Sequence, residues 1–277
     1  MQSIGKHIEA SPPLNELIRH FYCIETPADF VATTQHLAPN LEMMLLFNFG
    51  VPLQISFSDH TNVSQTVTEL GVVGPVRKML RYEVLPGTDL IVVVFNPNGF
   101  YRLFQIPVDG LSTETVHHPD SLVHSGGFLD LWNILKGLKS TEARIQLLTE
   151  YGTMFAREAD EQTTPLLYGF ANNTISEPSK AIAIDTDLSE RTVQLRFKKY
   201  LGFSTKEHAR FLRFKQVIDF IQIQENEVDW LAIVDQFGYY DQSHLIKDFK
   251  HFLDTSPKVF VQDFLGKSFC VTRPAKM

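Results

Sequence analysis

Gln242, His244 and Lys247 are the residues of this chain best suited to chemistry with another molecule. An amide, an imidazole and an ammonium can reach base edges or phosphates. They fall in the run 238–250, Gly-Tyr-Tyr-Asp-Gln-Ser-His-Leu-Ile-Lys-Asp-Phe-Lys. Helical spacing puts them opposite an apolar stripe of Leu245, Phe249 and Phe252. Gly238 supplies a turn before that helix and Asp241 a cap. A short helix, a glycine turn and a second helix with a polar outer face make a helix-turn-helix, whose natural ligand is DNA.

A second constellation of the same kind lies about fifty residues upstream, the two occupying 179–200 and 230–252. After Pro178, Ile182 and Ala183 fall in a short helix, Asp185-Thr186-Asp187 reads as the turn, and Ser189 caps the next helix. Val193, Phe197 and Tyr200 form its buried stripe, while Arg191, Gln194 and Lys198 point away. Gly202 ends that helix, and Ser204 opens a long one carrying Phe211, Leu212, Phe214, Val217, Ile218 and Ile221 inward. The later unit runs from a cap at Asp229 through Trp230, Leu231 and Ile233 to Gly238. A closing helix starts at Ser256-Pro257, with Phe260 and Phe264 inward.

Charge distribution agrees with this placement. The 277-residue chain has a net charge of −7, which by itself argues against nucleic acid. Residues 1–172 hold 10 basic and 18 acidic residues, whereas 173–277 hold 15 and 14. Within 188–215 there are 8 basic residues (Arg191, Arg196, Lys198, Lys199, Lys206, Arg210, Arg213, Lys215) against Glu190 and Glu207. Phosphate contact needs a local basic face rather than a basic protein.

The order of these pieces resembles the AraC/XylS-type transcriptional regulators, over about the last hundred residues from Pro165 to Phe264. The family's second unit reads Gly-Phe/Tyr-x-Asp-x-Ser-x-Phe-x-Arg-x-Phe-Lys. Gly238, Tyr239, Asp241, Ser243, Phe249 and Lys250 match it, with Leu245 standing for an aromatic and Lys247 for the arginine. Ser256-Pro257 and Phe260 match the family's closing segment, and Ser189, Val193, Phe197, Lys198, Gly202 and Arg213 its first unit. The resemblance implies seven helices, with two recognition helices joined by a long one at 204–224. It places base-reading residues at Arg191, Gln194 and Leu195, backed by Lys198, and at Gln242, Ser243, His244 and Lys247. It implies double-stranded DNA as partner, with a small-molecule effector, RNA polymerase and a second copy of the chain as further partners of a cytoplasmic activator.

Four departures from the pattern bear on binding strength. Leu195 stands where arginine is common, which favours apolar contact with thymine methyls. Val234 occupies a usually small site, and Asp254 replaces a glycine after the recognition helix. Asp248 puts a negative charge beside Lys247 and is expected to weaken phosphate attraction there.

The elements ahead of this region read mainly as strands: 41–49, 53–57, 67–73 and 90–95, rich in β-branched and aromatic residues and punctuated by proline, glycine and asparagine. A helix is expected at 13–20 and a helical turn at 99–105. Phe128, Leu131, Leu135 and Leu138, then Ile145, Leu148 and Phe155, predict a helical pair within 127–159, packed on the strands or used as a dimer contact. The polar stretch 157–164 reads as the linker. The expected fold class is α+β: a domain over 1–160 with a sandwich or small barrel and accessory helices, then an all-α domain over 165–277 with two helix-turn-helix units. Residues 39–50, Gly74-Pro75 and Phe95-x-Pro-x-Gly99 resemble the cupin-like sensor domain of one AraC-type subgroup.

Two rival readings stay open. One is a small-molecule-binding or metal cupin enzyme with a degenerate helix-turn-helix tail. Against it, His117-His118 are adjacent and on a strand would face opposite ways, and His36 with Glu42 has no third partner. No phosphate loop or Gly-x-Ser-x-Gly appears, so no catalytic residue, metal or cofactor is expected. A ligand pocket lined by Phe47, Phe57, Phe95 and Arg81 and a domain that has lost its ligand are the two readings of the front half. The other rival is a protein-interaction module, for which Asp241 and Asp248 are the support. No apolar run approaches the roughly 18 residues of a membrane span. The first ten residues lack a signal-peptide core, and Cys23 and Cys270 fit a reducing cytoplasm.

Overall fold

The computed structural model describes residues 4–57, 64–123, 126–156, 178–224 and 228–264. The first half is built on two antiparallel sheets. One has the order β1 (Lys6–Glu9), β2 (Ile18–Glu25), β9 (Asp89–Phe95), β4 (Met44–Asn48), β7 (Leu70–Val73). The other has the order β3 (Thr33–Leu37), β8 (Leu80–Val84), β5 (Leu53–Ser56), β6 (Ser64–Val67). Alternation along β9 explains the layers. Leu90, Val92 and Val94 face the second sheet, and Ile91, Val93 and Phe95 face a layer of helices. Both faces of the first sheet are therefore buried, so its strands read as continuous apolar runs.

The helical layer comprises α1 (Gly99–Phe104), α2 (Pro119–Leu122), α3 (Phe128–Lys136) and α4 (Thr141–Phe155). Two polar anchors fix it. Trp132 donates from Nε1 to the Asn48 carbonyl at 2.7 Å. Arg144 donates from Nη1 to both Asp89 carboxylate oxygens at 2.9 and 2.7 Å, and its guanidinium lies 4.1 Å over the Phe49 ring. The pair expected within 127–159 is thus present as α3 and α4, with Phe128, Leu131, Leu135, Ile145 and Leu148 in the core. Phe155, expected in the buried stripe, is half-exposed at the end of α4.

Several local expectations are corrected. The helix at 13–20 is a single 3₁₀ turn at Leu14–Glu16, and from Ile18 the chain runs into β2. The run at 67–73 is split, because Val67 ends β6 and Leu70 opens β7. The proposed pocket residues do not converge. Phe47 and Phe95 face the helices, Phe57 packs between the sheets, and Arg81 alternates with the inward Leu80 and Tyr82.

The second half is helical: α5 (Pro178–Thr186), α6 (Glu190–Leu201), α7 (Thr205–Gln222), α8 (Trp230–Gln236), α9 (Gln242–Leu253) and α10 (Pro257–Asp263). Asp185 and Thr186, expected in the first turn, finish α5. The turn falls on Asp187, in the left-handed region at φ 52°, and Leu188. The linker at 157–164 and the stretch of the resemblance up to 177 lie outside the described residues. Among those described, no helix is long and apolar enough to cross a membrane.

The two halves touch directly. The rings of Tyr101 of α1 and Tyr200 of α6 pack with centroids 4.4 Å apart, tilted by 52°. Gly202 ends α6 at φ 84°, and a Cβ there would sit 2.6 Å from Val108 and 2.9 Å from Pro75, so the residue serves both the cap and the close approach.

His208, on α7, is buried behind this joint with its ring 5.7 Å from that of Phe203. Burial pushes its pKa down to about 4 from 6.5. The folded chain keeps it neutral where the unfolded chain takes a proton, so its contribution is complete above pH 6.5 and is lost as pH falls toward 4. Unfolding midpoints should therefore fall on acidification over this range, and less steeply in His208→Gln. Equal slopes in the two proteins would contradict the assignment.

Candidate nucleic-acid interface

The first reading helix, α6, begins where Ser189, in extended conformation, accepts a hydrogen bond from the Thr192 N–H at 3.1 Å. Val193, Phe197 and Tyr200 are buried as expected, packed with Ile182 and Ala183 of α5. Arg191, Gln194, Leu195 and Lys198 occupy positions i, i+3, i+4 and i+7, so they share one face, and all four are exposed. Leu195 is 58% exposed, unusual for a leucine without a partner. Ser179 and Thr205 hydroxyls meet at 2.6 Å and tie α5 to the linking helix α7.

The second reading helix, α9, is set by Gly238 at φ 65° and by Asp241, whose carboxylate accepts from the His244 N–H at 2.7 Å. Gln242, Ser243 and Lys247 are exposed. His244 is half-buried, and its Nε2 accepts from Arg213 of α7 at 3.1 Å while its ring packs 5.1 Å from Tyr239. Of the second set it is the residue most engaged within the protein. Asp254 ends the helix at φ 56°, the left-handed position that a glycine usually fills. Val234 packs at the edge of the core, with its carbonyl accepting from the Tyr239 N–H at 3.0 Å.

Asp248 is the main correction. It does not lie beside Lys247 on the outer surface; it is fully buried. Its carboxylate accepts from Arg210 Nε at 2.7 Å, Tyr239 Oη at 3.0 Å and Arg213 Nη2 at 3.5 Å. Burial, then the adjacent carboxylate, pushes the Tyr239 phenol up, so it stays the donor. The signal was present in the sequence: Leu245, Asp248, Phe249 and Phe252 share the buried face of α9. A carboxylate placed there needs cationic or hydroxyl partners. Arg213 and Arg210 supply them from α7. Those two guanidiniums are therefore committed to this internal carboxylate, and the basic face rests more on the exposed Arg191, Lys198, Lys199 and Lys206.

The histidines considered for a metal are dispersed. His117 bonds the Ser112 carbonyl at 3.0 Å, His118 caps α2, and the His36 ring meets Phe264 at 5.4 Å. Glu42 pairs with Arg19 at 2.6 Å. Among the described residues no three His, Cys, Asp or Glu side chains gather to hold a metal.

Two family models match the chain. Residues 182–263 match a helix-turn-helix domain, and residues 6–117 match a domain of unknown function. The C-terminal half thus carries a helix-turn-helix domain of AraC type, and the chain is a DNA-binding transcriptional regulator. No curated protein sequence matches significantly. Among solved structures, ToxT from Vibrio cholerae is similar at 9% identity, covering 87% of this chain and 96% of that one with a TM-score of 0.40. ToxT with bound unsaturated fatty acid is similar at 11% identity, covering 94% and 97%, with a TM-score of 0.38. The AraC-like transcriptional activator CuxR is similar at 11% identity, covering 74% and 78%, with a TM-score of 0.31. The assignment rests on the helix-turn-helix match rather than on these distant likenesses.

Removing the buried carboxylate strands Arg210 and Arg213 against the core. Asp248→Ala should lower unfolding free energy by about 3 kcal/mol, and Tyr239→Phe by about 1 kcal/mol, both read by denaturant titration. A loss below that of Tyr239→Phe for Asp248→Ala would show that the carboxylate does not organise the unit.

Proposed function

We propose that α6 and α9 enter successive major-groove segments on one face of the duplex, with residues 165–277 as the reading domain and 1–160 as the sensing or dimerising domain. Arg191, Gln194, Leu195 and Lys198 form the first contact set, and Gln242, Ser243, His244 and Lys247 the second. The observation that carries this is the pairing itself. Two helices, each capped at its N-terminus and each with an exposed polar face over a buried aromatic stripe, flank one long helix. Arg191, Lys198 and Lys247 supply phosphate attraction, Gln194, Gln242 and Ser243 hydrogen-bond base edges, and Leu195 meets a thymine methyl. His244 reads at the margin, its ring orientation set by Arg213.

The front domain in this reading has no catalytic role. It answers a small-molecule effector and pairs with a second copy, in a cytoplasmic activator that works on RNA polymerase. An apolar hollow lies between sheet and helices, lined by Leu45, Val72, Phe100, Phe104, Leu122 and Phe128 among others. It leaves no room for a water molecule, so entry would require α1 or α2 to move. The protein-only module loses its support, because Asp241 caps α9 and Asp248 is buried.

The test is binding to promoter DNA of the source genome over a salt series. Affinity should fall steeply with salt, and Arg191→Ala and Lys247→Ala should each weaken binding and reduce the slope of log affinity against log salt by about one. Salt-independent retention, or unchanged affinity in both variants, would reject the assignment of these helices.

A further inference from the structure

The segment 74–79, between β7 and β8, belongs to the front domain by chain order and by its central tether. The Val76 N–H donates to the Glu42 carbonyl at 3.1 Å, and its carbonyl accepts from the Asn40 and Leu41 N–H groups at 3.1 and 3.0 Å. Immediately C-terminal to that tether the segment reaches into the reading domain. The Arg77 guanidinium donates to the Gly202 carbonyl, at the C-terminal cap of α6, and to Glu207 at 3.0 Å. Glu207 closes the capping box that starts α7, its carboxylate accepting from the Ser204 N–H at 2.7 Å. Two residues on, the Met79 N–H donates to the Phe252 carbonyl at 2.7 Å, in the last turn of α9. The Met79 side chain is 7% exposed, inside the apolar cluster of Phe211, Phe214, Phe249 and Phe252.

Two residues of extended chain span at most about 7 Å. A single short strap of the front domain therefore holds the C-terminal ends of both reading helices close together, while their N-terminal, ligand-facing turns remain open. The strap makes two polar contacts where the first unit meets α7, to the Gly202 carbonyl and to Glu207, and one backbone contact plus a core side chain to the second unit. Hydrogen bonds to a helix's last carbonyls fix its end, because those groups have no partner within the helix.

We propose that Arg77 and Met79 are positioning residues for DNA reading: the front domain sets the relative placement of α6 and α9 through them. The proposal rests on the two-helix reading above, but its consequence can be measured without DNA. It also gives the front domain a route to the reading domain that leaves the reading faces uncovered. Displacing the strap would change how the two helices are spaced rather than block them.

The experiment is a spin-label distance measurement on the full chain carrying Leu195→Cys and Lys247→Cys, with Cys23→Ala and Cys270→Ser. The parent should give one narrow distance distribution. Arg77→Ala and Met79→Ala should each broaden it or split it in two, and Met79→Leu, which keeps the apolar volume, should restore the narrow form. Arg77→Ala removes no core volume, so it decides the matter if Met79→Ala does not fold. An unchanged narrow distribution in folded Arg77→Ala and Met79→Ala would overturn the proposal. So would a Met79→Leu distribution as broad as that of Met79→Ala. Because no DNA is present, failure here is separate from failure of DNA binding.

Discussion

The reading domain depends on one buried carboxylate. Asp248 sits within an otherwise aromatic core and is held by Arg210 and Arg213 from α7 and by Tyr239 from the turn before α9. An ionised group in such a place is tolerated only with partners on several sides. Their origins are what matter: two lie on the linking helix and one on the turn, so the carboxylate registers α9 against α7 and the turn against both. Arg213 then extends the same network to His244, at the edge of the outward face. The direction of the second reading helix thus follows from an interaction that contacts no ligand.

Electrostatics divide along the same line. The acidic front half and the near-neutral back half could suggest a protein poorly suited to DNA. The folded arrangement shows that formal charge in sequence is a poor measure of a surface. Two of the eight basic residues in 188–215 turn inward to Asp248, and Glu207 is absorbed by Ser204 and Arg77. What remains outward on α6 is Arg191, Lys198 and Lys199, with little opposing charge on that face beyond Glu190.

The capped helices were the most legible part of the chain, because Ser189, Ser204, Asp229, Asp241 and Ser256 each precede a clear apolar stripe. Central strands β4 and β9 were legible for a related reason: burial makes them plainly apolar. Strands β3 and β8 were not, since Thr33, Gln35, Arg81 and Glu83 give them the composition of a loop. Pairing across the sheet, not local preference, makes them strands. The same limit hid the arginine partners of Asp248, though not its place on the buried face of α9, and it hid the strap. A carboxylate's partners 35 and 38 residues away, or a methionine filling another domain's core, leave no local pattern to read.

In the proposed mode of binding, two helices held as one body read one face of a duplex together. A hydroxyl-radical footprint of the full chain on its bound promoter fragment tests this most directly. Two protected windows on one face, about one helical turn apart (roughly 34 Å), are the predicted result. A single window, or protection on opposite faces, would contradict it.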